Sequence, residues 1–370
     1  MTELAGQFLL DGALVSGRIT LHGDRIVSVQ PDATVTDRHI IAPGFIDLQV
    51  NGGHGIDFGE EPDRIGEVAA WLPETGCTAF LPTIVSSLGG RYRRVFEALP
   101  AALGAPGARV LGLHLEGPFL APGKQGAHAL DAIDAADDAL FDELLAEDSV
   151  RLVTLAPERP GALERIARLA ERGVLVSLGH SDASFEQFET GIDAGARMAT
   201  HLFNAMSQLD SRAPGAVGAA LVDERVTVGL IADGIHTHPA TLALTARAKG
   251  ADGIALVSDM MAATGMPPGA YSLNDLPVTV DATSARLADG RLAGSILTMD
   301  AAVRNMTAWG RVSLADALTM ASTTPARLLA LDDLGTLTPG SAADLVVLAP
   351  DLHVTETWIA GEKVYSRSTS

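Results

Sequence analysis

The chain has 370 residues, 47% of them hydrophobic, with 38 glycines and 19 prolines, enough for one large α/β domain and a smaller piece. Its formal net charge of −20 argues against a nucleic-acid groove or an anionic membrane surface as partner, though a few local donors can still hold a small anion. The single cysteine, Cys77, excludes an intrachain disulfide and a Cys-rich zinc site, and its Gly-Cys-Thr setting at a strand start reads as a small core residue.

No basic leader precedes the first apolar stretch, and no apolar run reaches the roughly 18 residues of a membrane span. A soluble cytoplasmic protein is expected. Residues 7–42 alternate short apolar pieces with turns, and so does the tail from Asp344 to Val364. Neither end buries a core alone. Residues 1–42 and 335–370 are therefore expected to form one small β-sandwich domain together.

Between them, residues 43–334 carry eight strand candidates: Phe45–Val50, Thr78–Val85, Arg109–Leu115, Val150–Leu155, Val174–Leu178, Arg197–Thr200, Val226–Ile231 and Ile254–Ser258. Amphipathic helix candidates lie between most of them, among them Asp63–Glu74, Ala162–Arg172, Phe185–Ala194 and Pro239–Lys249. Eight alternating units predict an α/β fold, a (β/α)₈ TIM-like barrel. A β-rich insertion is expected at 269–291, then helices at Met299–Trp309, Leu314–Ala321 and Pro325–Leu331.

Four residues fall just past four of these strands: Glu116, His180, His201 and Asp259. A barrel of this kind builds its active site at that rim from strands far apart in sequence. Two imidazoles, one carboxylate and water suit a zinc-type site with one open position. Each histidine taken alone reads equally as a core or capping residue, and Asp259 as an N-cap. Together they point to a metal-dependent hydrolase in which Asp259 takes a proton from an activated water and returns it to a leaving amine.

The strings around these residues are specific. They include Pro43-Gly44-Phe45-Ile46-Asp47, His114-Leu115-Glu116-Gly117-Pro118-Phe119, Gly179-His180-Ser181, Thr200-His201-Leu202-Phe203-Asn204-Ala205-Met206, Ala232-Asp233-Gly234-Ile235-His236 and Ala293-Gly294-Ser295-Ile296-Leu297-Thr298-Met299. Nearly end to end, the chain resembles the amidohydrolase superfamily and, within it, the N-acetylglucosamine-6-phosphate deacetylase family. The resemblance implies hydrolytic deacetylation of an N-acetyl amino sugar 6-phosphate by a homodimer. It assigns one divalent ion to Glu116, His180 and His201, with zinc expected and iron, manganese or cobalt equally suited to these ligands.

By the same resemblance Asp259 is the general base and acid, and His128 helps polarise the substrate carbonyl. Asn204, Ala205, Arg212 and His236 would contact phosphate and sugar, while Ala127 and Ile296, Leu297, Thr298 and Met299 would line the sugar site. Arg212 would reach across a dimer. As bare residues, His128 reads also as a solvated loop histidine and Arg212 as an exposed partner of Asp210.

Two positions depart from the superfamily's pattern. The first strand ends in Gln49-Val50-Asn51 where many members carry His-x-His for a second metal, and no lysine stands at a strand end. One strongly held ion is the simpler expectation, with His54 read as a loop histidine or a substitute ligand. Met260, beside Asp259, is expected to reshape the pocket near the acetyl group. Substrate alternatives are the galactosamine epimer or a related acyl amide. A regulator that binds sugar phosphate without turnover is the rival from another class.

Overall fold

The computed structural model describes residues 1–10 and 12–367; Asp11 and the last three residues of the expected tail domain lie outside the described residues. Eight parallel strands form the central sheet: β1 (Phe45–Val50), β2 (Cys77–Val85), β3 (Leu113–Glu116), β4 (Val150–Leu155), β5 (Leu175–Leu178), β6 (Met198–Ala199), β7 (Thr227–Leu230) and β8 (Ile254–Leu256). Each pairs with the next in sequence from β1 to β8. The ring closes past the strand ends, where Val50 bridges Met260 in parallel, Asp259 N–H donates to Gln49 O at 3.0 Å and Asn51 N–H to Met260 O at 2.9 Å. β1 and β2 are buried along their whole length, as strands covered on both faces must be.

The strands are shorter than the apolar runs suggest. The third candidate divides into Arg109–Val110 and β3 because Gly112 takes φ +124° between them. A Cβ there would sit 2.5 Å from Ser149 O, so only glycine fits. The Asp63–Glu74 helix is also interrupted: an α-helix spans only Ile65–Trp71, with tighter 3₁₀ turns on both sides, each opening on or next to a proline (Pro62, Pro73).

Inside the barrel, side chains two residues apart point the same way in successive layers. One layer below Glu116, His114 Nδ1 meets Thr83 Oγ1 at 3.2 Å and its Nε2 meets Thr154 Oγ1 at 2.8 Å. Thr154, Thr200 and Ser177 continue the chain at 2.7 and 2.6 Å. Burial lowers the His114 imidazole to about 4, so it is a neutral strut in this floor.

The two chain ends build one seven-stranded sheet, the small β-sandwich part of the fold. Its order runs Glu362–Ser366, Val354–Ile359, Leu345–Leu348, Ile40–Pro43, Thr2–Leu10, Ala13–His22, Arg25–Pro31. Phe8, Ile19, Ile26, Ile41, Leu345 and Trp358 pack into its own core. After β8, Gly269–Leu273 and Leu276–Val280 pair as an antiparallel hairpin, joined at its far edge by Ala285–Arg286. Cys77 is buried in the barrel core, as its setting suggests.

Candidate metal centre and active site

Glu116 ends β3, where Gly117 at φ +91° turns the chain over the rim. His180 follows β5, His201 follows β6 and Asp259 follows β8, at φ +49°, +27° and +51°. Left-handed backbone in a non-glycine residue costs about 1 kcal/mol or more. Here it swings each side chain inward from the strand direction. The turn after β5 is braced by Glu158, which accepts from Ser181 Oγ at 2.7 Å and Asp182 N–H at 2.6 Å.

Three ligand-type atoms converge. Glu116 Oε1 lies 3.1 Å from His180 Nε2 and 3.0 Å from His201 Nε2, and the two Nε2 atoms are 3.1 Å apart. All three residues are buried. An ion bound at about 2.0–2.1 Å in tetrahedral geometry needs ligand atoms about 3.3 Å apart, so this set fits a divalent cation. His180 Nδ1–H donates to Lys124 O at 2.8 Å, which turns the Nε2 lone pair towards the other two ligands. Burial works to raise the Glu116 carboxyl, but the two imidazoles beside it outweigh burial and hold it well below the usual carboxylate range. Burial likewise opposes charge on His201, and Glu116 reverses that and moves its imidazole up.

Asp259 stands on the opposite wall. Gln49 Nε2 and Asn51 Nδ2 both donate to its Oδ1, at 3.1 and 2.7 Å. Burial, then the nearby negative charge of Glu116, pushes its carboxyl up to about 6. The Gln-x-Asn string at the end of β1, where other chains place ligand histidines, thus acts on Asp259 in this one. His54 is exposed and stands outside the Glu116–His180–His201 cluster, with its ring 5.6 Å from that of Trp71.

His128 closes the third side. Its ring centroid is 4.4 Å from that of His180, and its Nε2 is 3.9 Å from Glu116 Oε1. Ser86 N–H donates to its Nδ1 at 3.1 Å, and Ser86 Oγ lies 2.8 Å from the same atom. Burial, reinforced by the charge of His180, lowers its imidazole to about 3, so the ring is neutral. An N–H can only donate; Nδ1 therefore accepts, and the ring proton sits on Nε2.

These groups surround a cavity of roughly 340 Å³. Ala127, His128, Asn204, Ala205 and His236 line it, together with Lys124, Leu273, Arg291 and Gly294, which sequence reasoning missed. His236 Nδ1 bonds Asp233 Oδ2 at 2.7 Å. Ile296, Leu297, Thr298 and Met299 do not line the cavity: Leu297 and Met299 are buried in the core, and Thr298 Oγ1 bonds Asp300. Met260 does not reach it either, because its side chain joins the barrel core. Arg212 sits exposed on the loop after β6, outside the cavity. Its backbone N–H bonds Asp210 Oδ1 at 3.0 Å, and among the described residues its guanidinium has no partner.

An amidohydrolase family model matches residues 40–364, so barrel, rim and return strands are all covered. A human N-acetylglucosamine-6-phosphate deacetylase is 43% identical over 88% of this chain and 83% of its own length. An N-acetylgalactosamine-6-phosphate deacetylase of Escherichia coli O157:H7 is 39% identical over 95% of this chain and 96% of its own. The crystal structure of N-acetylglucosamine-6-phosphate deacetylase from Thermotoga maritima superimposes with a TM-score of 0.93 at 32% identity, covering 99% of this chain and all of that one. A Mycobacterium smegmatis enzyme of the same name, an Asp-to-Ala mutant in complex with N-acetyl-D-glucosamine-6-phosphate, gives 0.92 at 35% identity, with the same coverage of both chains. The chain belongs to the amidohydrolase family and, within it, to the amino sugar phosphate deacetylases.

Proposed function

We propose that the chain hydrolyses the acetamide of N-acetylglucosamine-6-phosphate to glucosamine-6-phosphate and acetate. One observation carries the reading: three buried ligand atoms within 3.1 Å of one another face a carboxylate held by two amides across one cavity. Glu116, His180 and His201 would hold a divalent ion, zinc by ligand type, although iron, manganese and cobalt accept the same set. Such an ion supplies Lewis acidity, which favours ionisation of water and polarises a carbonyl.

The remaining steps belong to the protein. With Oδ1 occupied by two donors, Asp259 uses Oδ2 to take a proton from the attacking water. His128 gives its Nε2–H to the carbonyl oxygen on which charge develops. Asp259 then returns the proton to nitrogen, so that the C–N bond breaks and an amine leaves. Asn204, Ala205 and His236 would hold the sugar and phosphate.

Arg212 supplies the guanidinium fork suited to phosphate. That its guanidinium has no partner among the described residues supports a homodimer in which it reaches a neighbouring cavity. We further propose residues 1–42 with 335–370 and residues 43–334 as the two domains. The acidic surface supports a small-molecule partner rather than nucleic acid or membrane, and a phosphorylated, membrane-impermeant sugar supports work in the cytoplasm.

Asp259→Asn tests the central step. Metal content should stay near wild type while kcat falls by about 10³-fold or more in an acetate-release assay. A wild-type rate would remove Asp259 from its role. The galactosamine epimer is the second reading, favoured by the name of the E. coli relative. Comparing kcat/KM on the two epimers decides between them. If acetate is released from neither, the substrate is a related acyl amide or the chain binds sugar phosphate without turnover.

A further inference from the structure

We propose that Asn274, at the tip of the hairpin that follows β8, is a positioning residue that holds Ser86 and through it keeps His128 aimed into the cavity. This rests on the reading of His128 as the group that polarises the substrate carbonyl. The hairpin turns through Asn274 and Asp275, both left-handed at φ +51° and +68°, the shape of a tight two-residue β-turn. Turn tips of this kind are usually solvated. This one is only 6% exposed at Asn274.

Every polar group of the Asn274 amide is engaged, and with parts of the chain far away in sequence. Its Nδ2 donates to Ser86 O at 3.0 Å. Its Oδ1 accepts from Ser87 Oγ at 3.1 Å and from the Arg91 guanidinium. Its backbone N–H donates to Asp57 Oδ2 at 3.1 Å. Ser86 is the first residue past β2, and its own N–H and Oγ are the two groups on His128 Nδ1. The amide thus clamps Ser86 on its carbonyl side, while the N–H and Oγ of the same residue set which nitrogen of His128 carries the proton.

A second contact runs in parallel. Leu273, next to the tip, lines the cavity, and it shares an apolar cluster with Ala127, the neighbour of His128. The hairpin therefore presses on the His128 loop from one side and anchors Ser86 on the other. Burying an asparagine whose Nδ2, Oδ1 and backbone N–H all bond distant segments contributes orientation that an exposed Asn-Asp turn does not need.

Asn274→Gly keeps the left-handed turn and removes the amide. Asn274→Asp keeps the volume and replaces the donor to Ser86 O by an acceptor, so it serves if the glycine variant does not fold. In the metal-loaded enzyme each should lower kcat roughly tenfold, the scale of one lost orienting hydrogen bond, with KM and bound metal little changed. The ¹⁵N signals of the His128 ring should move from a pure Nε2–H signature towards a mixture. Unchanged kcat, or a loss that follows metal content while the ring signature stays put, would overturn the proposal. His128→Ala separates the two levels: a wild-type rate there sinks the carbonyl-polarising reading, whereas a large loss there with none in the Asn274 variants sinks this inference alone.

Discussion

The wall of the barrel mouth built by β3, β5 and β6 brings one carboxylate oxygen and two imidazole nitrogens to within 3.1 Å of each other. The wall built by β1 and β8 instead turns two amide groups inward, with their hydrogens on Asp259. The first wall offers lone pairs and suits a cation. The second presents amide hydrogens to a carboxylate. The contrast supports the proposal of a rim that holds one ion on one side and moves a proton on the other, the clustered His and carboxylate ligands among the described residues being Glu116, His180 and His201.

Removing a lone pair from the first wall has the largest expected effect. His180→Ala should weaken metal binding by at least about a hundredfold and bring turnover to background, read by elemental analysis after gel filtration. Retained metal with lost rate would mean that His180 works by another route. On the second wall, Gln49→Ala or Asn51→Ala should lower kcat by roughly tenfold to a hundredfold and leave metal content unchanged, because Asp259 loses its fixed orientation. Gln49→His combined with Asn51→His should erase the contrast, raising the metal bound per subunit. If the double variant binds no more metal, the amides are not what keeps that wall free of ions.

The smallest effect concerns stability. Asp47 lies beneath the second wall, where burial pushes its carboxyl up to about 7. The folded state therefore keeps a proton that the unfolded chain releases near its ordinary value of about 4. Stability should fall as pH rises between these two values, by a few kcal/mol at most, and level off above about 7. Denaturant midpoints at pH 5 and pH 8 should differ less in Asp47→Asn than in wild type. Equal slopes in both proteins would show that Asp47 titrates normally.

Much of the first wall was legible in the sequence. Glu116, His180 and His201 each follow a short branched apolar run, and barrel geometry gathers such strand ends. The second wall was only half legible. Asp259 follows the same rule, but Gln49 and Asn51 were read for the ligands they are not. Their work depends on β1 and β8 becoming neighbours when the barrel closes, a contact between residues more than two hundred positions apart. That adjacency was itself a consequence of the predicted barrel and was the signal available. Ser86 and Asn274 carried no such mark, since a serine after a strand and an Asn-Asp turn are ordinary. The left-handed backbone of His180, His201 and Asp259 was hidden for another reason: these residues disfavour it locally, and the surrounding structure imposes it. Met260 differs for another reason: it neighbours Asp259 in sequence, but proximity in sequence does not decide which way a side chain points, and Met260 turns into the barrel core.

The seven-stranded sheet has a further consequence. Ile40–Pro43 lies between Thr2–Leu10, which precedes it closely in the chain, and Leu345–Leu348, which follows only after the whole barrel. Until that late segment leaves the ribosome, the strand at residues 40–43 presents an unpaired apolar edge, the kind that recruits other chains. A nascent polypeptide of this sequence must therefore shield residues 40–43 until residues 345–348 are synthesised, and removing that later strand would leave the edge open to aggregation.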